Sequence, residues 1–174
     1  MKNYKELLKN VTTFIFDYDG VMTQGNVLMM PNGEGLRATN VKDGFALQLA
    51  VRLGYNVAVI SGGYADSMTQ RMRMLGVEDV YTHIPNKITK LEEYMKKKNL
   101  KKEQIVYMGD DIPDYPVMKM VGVPVCPADA SEEIKEISVY ISNKDGGKGA
   151  VRDIIEQVLK VQDNWMKDFK NHLW

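Results

Sequence analysis

Thr13-Phe14-Ile15-Phe16-Asp17-Tyr18-Asp19-Gly20-Val21-Met22-Thr23 is the stretch from which the rest of this chain reads. Thr13 to Phe16 are apolar or β-branched and predict a short buried strand. Asp17 and Asp19 stand where that strand must end, and Gly20 allows a turn that few other residues tolerate. Alone, Asp-x-Asp-Gly is equally well a solvated turn. A second stretch tips the balance, because the apolar run Gln104-Ile105-Val106-Tyr107-Met108 is also followed by acids, in Gly109-Asp110-Asp111-Ile112-Pro113-Asp114. Open α/β sheets keep their chemistry at the C-terminal ends of central strands. Two such endings put four or five carboxylates in one crevice, where like charges repel unless a cation joins them.

Working outward, Asn26–Met30 and Leu36–Asn40 are short extended runs around the turn formers Pro31-Asn32-Gly33-Glu34-Gly35. They predict a β-hairpin inserted over about residues 24–40. A helix is expected from an N-cap at Asp43 to a stop at Gly54. Then come a strand over Asn56–Ile60, a helix over Ala65–Leu75, a strand over Asp79–Thr82 and a helix from Asn86 or Lys87 to Asn99. After the strand Gln104–Met108, the pattern gives a helix around Tyr115–Met120, a strand over Val121–Val125, a short helix near Ser131–Glu136 and a strand at Val139–Ile141. A last helix starts near Ala150, its stripe of Val151, Ile154, Ile155, Val158 and Leu159 continued by Trp165, Met166 and Phe169. Alternating β and α units imply a parallel sheet with helices on both faces.

The 174 residues fit one domain spanning 1–174, with no repeat and no linker. Lys plus Arg and Asp plus Glu balance at 23 each, so no overall field favours nucleic acid or an anionic membrane. The single cysteine, Cys126, lies in an apolar run and reads as a buried thiol in a reducing compartment. The start lacks the apolar core of a signal peptide, and no apolar run approaches the ~20 residues of a membrane span. A cytoplasmic location is expected.

Each strand end carries a polar signature: Asp17 and Asp19 on the first, Ser61 on the next, Lys87 soon after the third, and Asp110 and Asp114 after the fourth. Singly, Ser61 is a turn residue, Lys87 is surface and Asp114 is a helix cap. Jointly they describe a phosphate site. A hydroxyl and backbone N–H groups near a helix start hold phosphate oxygens, lysine adds a compact charge, and carboxylates bind Mg²⁺.

In that order, Asp17-x-Asp19-Gly-Val-x-Thr23, Ile60-Ser61-Gly62, Lys87 and Gly109-Asp110-Asp111-x-x-Asp114 resemble the four motifs of the haloacid dehalogenase superfamily of phosphatases. The hairpin in place of a cap domain, Asn40-Val41-Lys42-Asp43-Gly44 and Gly146-Gly147-Lys148-Gly149-Ala150-Val151-Arg152 are similar to the 3-deoxy-D-manno-octulosonate (KDO) 8-phosphate phosphatases within it. The resemblance implies a Rossmann-like three-layer sandwich with a central parallel sheet. It also implies an Mg²⁺-dependent hydrolase of a phosphorylated sugar acid, assembled as a homotetramer and serving lipopolysaccharide synthesis.

Carried over residue by residue, Asp17 is the nucleophile and Asp19 the general acid and base, a job that needs a raised pKa, which crowding by carboxylates could supply. Mg²⁺ is expected on Asp17, the Asp19 backbone carbonyl and Asp110, with Asp111 or Asp114 orienting its waters. Ser61 and Lys87 would bind the phosphoryl oxygens. The substrate would meet Asp19, Thr23, Ser61, Gly62, Lys87 and the segment Asn40, Val41, Lys42, Asp43 and Gly44, with Lys42 near its carboxylate; Arg71 matches a family position associated with substrate. Lys42 and Arg71 read equally well as ordinary surface charges. Many relatives have arginine where this chain has Gly63, which removes one cation.

Three alternatives stay open. The substrate can be a nine-carbon sugar acid 9-phosphate, since the motifs do not separate the two. An idle oligomerisation module is disfavoured by the intact acids. Trp165, Phe169 and Trp174 read as core or subunit contacts, yet the glycine loop can also let the tail reach a neighbour's active site.

Overall fold

The computed structural model describes residues 3–167. Six strands form one parallel sheet: β1 (Thr13–Phe16), β4 (Asn56–Ile60), β5 (Asp79–Tyr81), β6 (Ile105–Met108), β7 (Val123–Cys126) and β8 (Tyr140–Ile141). Their order is β5-β4-β1-β6-β7-β8. The chain leaves β1 toward β4 and β5, then returns to the other side of β1 as β6. This reversal makes the gap between the C-terminal ends of β1 and β6 the switch point, where ligands of open α/β sheets bind.

Alternation along β1 divides the core. Phe14 and Phe16 face one side, packed with Leu47 and Leu49 of α2 (Val41–Arg52) and Ile154 and Ile155 of α7 (Ala150–Val161). Ile15 faces the other, with Leu91 and Tyr94 of α4 (Lys87–Lys98), Val117 and Met118 of α5 (Tyr115–Met118) and Ile134 of α6 (Glu132–Ile137). α3 (Asp66–Met74) adds Met68 and Met72 to the first side, and so does α1 (Tyr4–Leu8) with Leu8. The result is the expected three-layer arrangement.

Several boundaries differ from the sequence reading, each for a local reason. The helix after the insertion is capped by Asn40, whose side chain accepts from Lys42 N and Asp43 N; Asp43 lies inside the first turn. Both are good caps, and the one with its oxygen on the free N–H groups wins. The insertion is a hairpin of two short strands, β2 (Leu28–Met29) and β3 (Gly35–Leu36), paired antiparallel. β7 starts at Val123, two residues later than expected, and includes the buried Cys126, whose thiol burial pushes up. α1 had no counterpart in the sequence reading. α7 ends at Val161, and Trp165 folds back on the core with its N–H donating to Leu159 O, so the helical stripe stops short. Phe169 and Trp174 lie outside the described residues.

The glycine-rich segment after β8 has a packing reason. A Cβ on Gly146 would stand 1.8 Å from Gly20 O, and Gly147 N donates to Val21 O at 2.9 Å. Backbone lies directly on backbone here, tying the start of α7 to the turn after β1.

Candidate active site

β1 and β6 pair in register from Thr13↔Ile105 to Phe16↔Met108, and Asp17 N donates to Met108 O at 3.0 Å. Asp17 and Gly109-Asp110 therefore emerge at one level. Gly20 has φ +84°, and a Cβ there would stand 2.0 Å from Asp110 Oδ2. Only glycine permits both the turn and the approach of that carboxylate. A cleft of about 260 Å³ opens at this point, lined by Asp17, Asp19, Gly20, Gly25, Asp110, Asp111, Pro113 and Asp114.

One oxygen from each of Asp17, Asp110 and Asp114 lies within 4.8 Å of the others. Lys87, the first residue of α4 and 9% exposed, reaches into the group. Its Nζ is 2.7 Å from Asp114 Oδ1 and 2.9 Å from Asp17 Oδ1. Asp114 is committed further, accepting from Tyr107 OH at 2.9 Å and Asp110 N at 3.3 Å. Burial opposes the Lys87 charge, but Asp17 and Asp114 outweigh it and leave its pKa above the ordinary value.

One lysine does not neutralise three carboxylates. Burial, then Asp114, pushes Asp17 up to about 6 against the pull of Lys87. Burial, then Asp17 and Asp114, pushes Asp110 up to about 7. Asp17 Oδ1 is buried and, although Lys87 is close, has no aligned hydrogen-bond donor among the described residues. A hard divalent cation fits this donor set: it supplies the missing charge and takes oxygen ligands.

Ser61 closes β4 with its side chain buried, and its Oγ accepts from Gly63 N at 3.1 Å. Asp19 lies outside that trio. Its partner is Arg37, just past β3, whose Nε donates to Oδ1 at 2.5 Å and Nη2 to Oδ2 at 3.0 Å. The sequence carried no signal for Arg37, which reads as one more charge in the extended run Leu36–Asn40. Tyr107 was likewise read only as a strand residue. The space above Gly63, where an arginine was missed, is occupied: a Cβ there would meet Asp19 Oδ2 at 2.8 Å and Arg37 Nη2 at 3.4 Å.

The remaining expected substrate contacts do not line this cleft. Thr23 Oγ1 is buried and accepts from Gly20 N and Gly25 N, which fixes the turn. Asn40 caps α2 and donates through Nδ2 to Gly147 O at 3.2 Å. Asp43 is buried and accepts from Arg152 N at 2.7 Å, anchoring α7. Val41 is exposed, and Lys42 lines a separate basic cleft with Lys144, Lys148 and Arg152. Gly44 lies under Arg71, which lines a small cavity with Met22, Leu47 and Leu75. Gly62 is uncrowded, since a Cβ added there would meet only Ile84 O, at 3.8 Å.

An acidic cleft at the switch point of a parallel sheet, with a buried lysine across it, defines a hydrolase of the phosphoryl-transfer class. Residues 69–155 match the haloacid dehalogenase-like hydrolase family. The 3-deoxy-D-manno-octulosonate 8-phosphate phosphatases KdsC of Salmonella typhi and of Escherichia coli K12 are each 35% identical over 154 residues, 88% of this chain and 82% of theirs. The crystal structure of the Yersinia pestis phosphatase of that name superposes with TM-score 0.93 at 32% identity, covering 95% of this chain and 90% of that one. The Moraxella catarrhalis phosphatase, solved with magnesium, phosphate and KDO, gives 0.91 at 30% identity, covering 95% of each. The chain belongs to the 3-deoxy-D-manno-octulosonate 8-phosphate phosphatase family of haloacid dehalogenase-like hydrolases.

Proposed function

We propose that this protein is an Mg²⁺-dependent phosphatase that releases phosphate from 3-deoxy-D-manno-octulosonate 8-phosphate through an aspartyl-phosphate. The observation that supports the reading is the carboxylate trio of Asp17, Asp110 and Asp114, with oxygens within 4.8 Å of one another, which one lysine does not neutralise. Mg²⁺ would be held by Asp17, the Asp19 main-chain carbonyl and Asp110, with Asp111 and Asp114 orienting its waters. Bound there, it supplies charge stabilisation for the transferring phosphoryl group.

Asp17 attacks phosphorus while the bond to the leaving oxygen breaks. A carboxylate needs no base to become a nucleophile. Asp19 gives a proton to the departing alkoxide, then takes one from the water that hydrolyses the aspartyl-phosphate. Lys87 and Ser61 hold the phosphoryl oxygens, and Asp114 keeps the Lys87 ammonium extended toward them. In this reading Lys42 and Arg71 serve sugar-acid recognition from the neighbourhood of the cleft, while Asn40 and Asp43 hold the 40–44 segment and α7 in place.

The same reading takes residues 1–174 as one cytoplasmic domain in a homotetramer. The run of exposed apolar side chains on the hairpin, Val27, Leu28, Met29, Met30 and Leu36, supports an assembly, because grouped exposed apolar residues mark interaction surfaces. Among the described residues no helix is long and apolar enough to cross a membrane.

The deciding experiment measures phosphate release with Mg²⁺ from the eight-carbon 8-phosphate and a nine-carbon sugar acid 9-phosphate side by side. Preference for the eight-carbon compound is expected. Preference for the nine-carbon one keeps the chemistry and changes the substrate, and release from neither overturns the reading.

A further inference from the structure

The two sides of the cleft differ in charge. Asp110, Asp111 and Asp114 stand together past the end of β6. A sugar acid phosphate is anionic at both ends, so these carboxylates repel the rest of it once its phosphoryl group is seated. On the other side, past the ends of β4 and β5, Gly62 and Gly63 carry no side chain, and Arg37 is paired with Asp19. The side chains that adjoin this bare stretch are Tyr64 and His83.

Two loops hold that pair in place. Ser61 N donates to Tyr81 O at 2.9 Å, Ile84 N to Ser61 O at 3.0 Å and His83 N to Gly63 O at 3.2 Å, which carries the β4–β5 pairing past both strand ends. The rings of Tyr64 and His83 stack, with centroids 4.6 Å apart and planes at 17°. Gly63 is joined to Tyr64 by a peptide bond and to His83 by that hydrogen bond. A Cβ on it would meet Asp19 Oδ2 at 2.8 Å and Ser61 Oγ at 3.6 Å, so the pair starts beside the reacting groups. His83 also lies four residues before Lys87.

His83 has features that packing does not require. Its φ of +55° is left-handed, which costs a side-chain-bearing residue energy and is often kept for function. Asn99 shares such a φ, but it caps the end of α4, where the conformation is ordinary. The His83 ring is exposed, and among the described residues neither of its nitrogens has a hydrogen-bond partner. Tyr64, 47% exposed, donates its hydroxyl to Asp66 and gives its ring face to His83.

We infer that His83, braced by Tyr64, is a specificity-determining residue that hydrogen-bonds the oxygens of the substrate's leaving group. This inference rests on the phosphatase reading and names the chemistry its site selects, a polyhydroxylated carboxylate. Repulsion from the β6 side turns the sugar acid toward the pair. A neutral imidazole offers it one N–H donor and one acceptor, and the ring faces offer an apolar surface for its carbon chain.

The test compares two constants on the Mg²⁺-loaded enzyme: KM for the sugar acid phosphate and the inhibition constant of orthovanadate, which mimics the phosphoryl group and carries no sugar chain. No phosphate release by the wild type would mean that the phosphatase reading fails, and this inference with it. Given release, His83→Gly is expected to raise KM about tenfold, with kcat and the vanadate constant each within about twofold. Glycine takes the left-handed backbone without strain, so this variant removes the ring and keeps the loop. His83→Asn also tolerates that backbone and keeps an N–H donor, and recovers part of the loss. Tyr64→Ala raises KM in the same direction, and Tyr64→Phe, which keeps the stack, does not. An unchanged KM in His83→Gly, or equal weakening of substrate and vanadate, would overturn the inference. If His83→Gly fails to fold by circular dichroism, His83→Ala carries the same comparison.

Discussion

The cleft at the ends of β1 and β6 and the hairpin beside it are built on opposite principles. In the cleft, Asp17, Lys87 and Asp114 are each no more than 9% exposed and hold one another through short charged contacts. Leu28, Met29 and Leu36 on the hairpin are exposed, and β2 and β3 pair only with each other. These three groups are thus held in a largely buried surround that strengthens each charge interaction. The hairpin is free to serve contacts outside the chain. Arg37 lies where the two regions meet, just past β3 and paired with Asp19.

The contrast can be broken most sharply at Asp17. Asp17→Asn removes the nucleophile, and phosphate release should fall on the order of 10⁴-fold or more with circular dichroism unchanged. Substantial remaining activity, once mass spectrometry has excluded deamidation, would disprove the assignment.

Next is Lys87→Ala, which leaves two buried carboxylates without their cation. Breaking one side of a buried ion pair costs about 3–5 kcal/mol, so chemical denaturation should show a loss of that order, partly restored by Mg²⁺. An unchanged midpoint would mean that the cleft charges are far better solvated than their burial implies.

Metal binding gives a third, smaller effect. Mg²⁺ competes with protons at Asp17 and Asp110, raised to about 6 and about 7. Titration calorimetry should find affinity rising by more than about tenfold from pH 5.5 to 8. The metal-free protein should show the matching stability trend. Its folded-state values lie above the ordinary 3.8, so it binds more protons than the unfolded chain in that window. Stability without metal should therefore fall as pH rises from about 4 to 7, and saturating Mg²⁺ should remove most of the fall. A flat profile of both affinity and melting temperature would contradict the charge balance described here.

The smallest effect belongs to the hairpin. Leu28→Ser, at an exposed position, should change protomer stability by less than about 0.5 kcal/mol. Sedimentation should nonetheless shift toward smaller species if the hairpin forms the assembly contact. An unchanged oligomer would move that contact elsewhere.

The strands were legible because a buried strand is a local pattern. The apolar runs before Asp17 and Asp110 announced themselves, and so did the fact that acids follow both. The β-α alternation then dictated that the two endings meet. Ser61 and Lys87 gained meaning only from their order along the chain. Helix starts were less legible, as Asn40 and Asp43 show, since two good caps three residues apart differ only in where their oxygens finally point.

Tertiary structure alone decided the partners. Asp19 and Arg37 are 18 positions apart, and Asp43 and Arg152 N are 109 apart. No periodicity links such residues, because periodicity describes one element and these pairs join different ones. Which carboxylate faces a cation, and which is turned to anchor a helix, follows from how the elements close on one another. The sequence by itself determined that acids would gather at one edge of a parallel sheet. The packed chain determined that Lys87 would be shared by Asp17 and Asp114, that Asp19 would be held by Arg37, and that the 40–44 segment would anchor α7, because electrostatic energy depends on distances that only the fold creates.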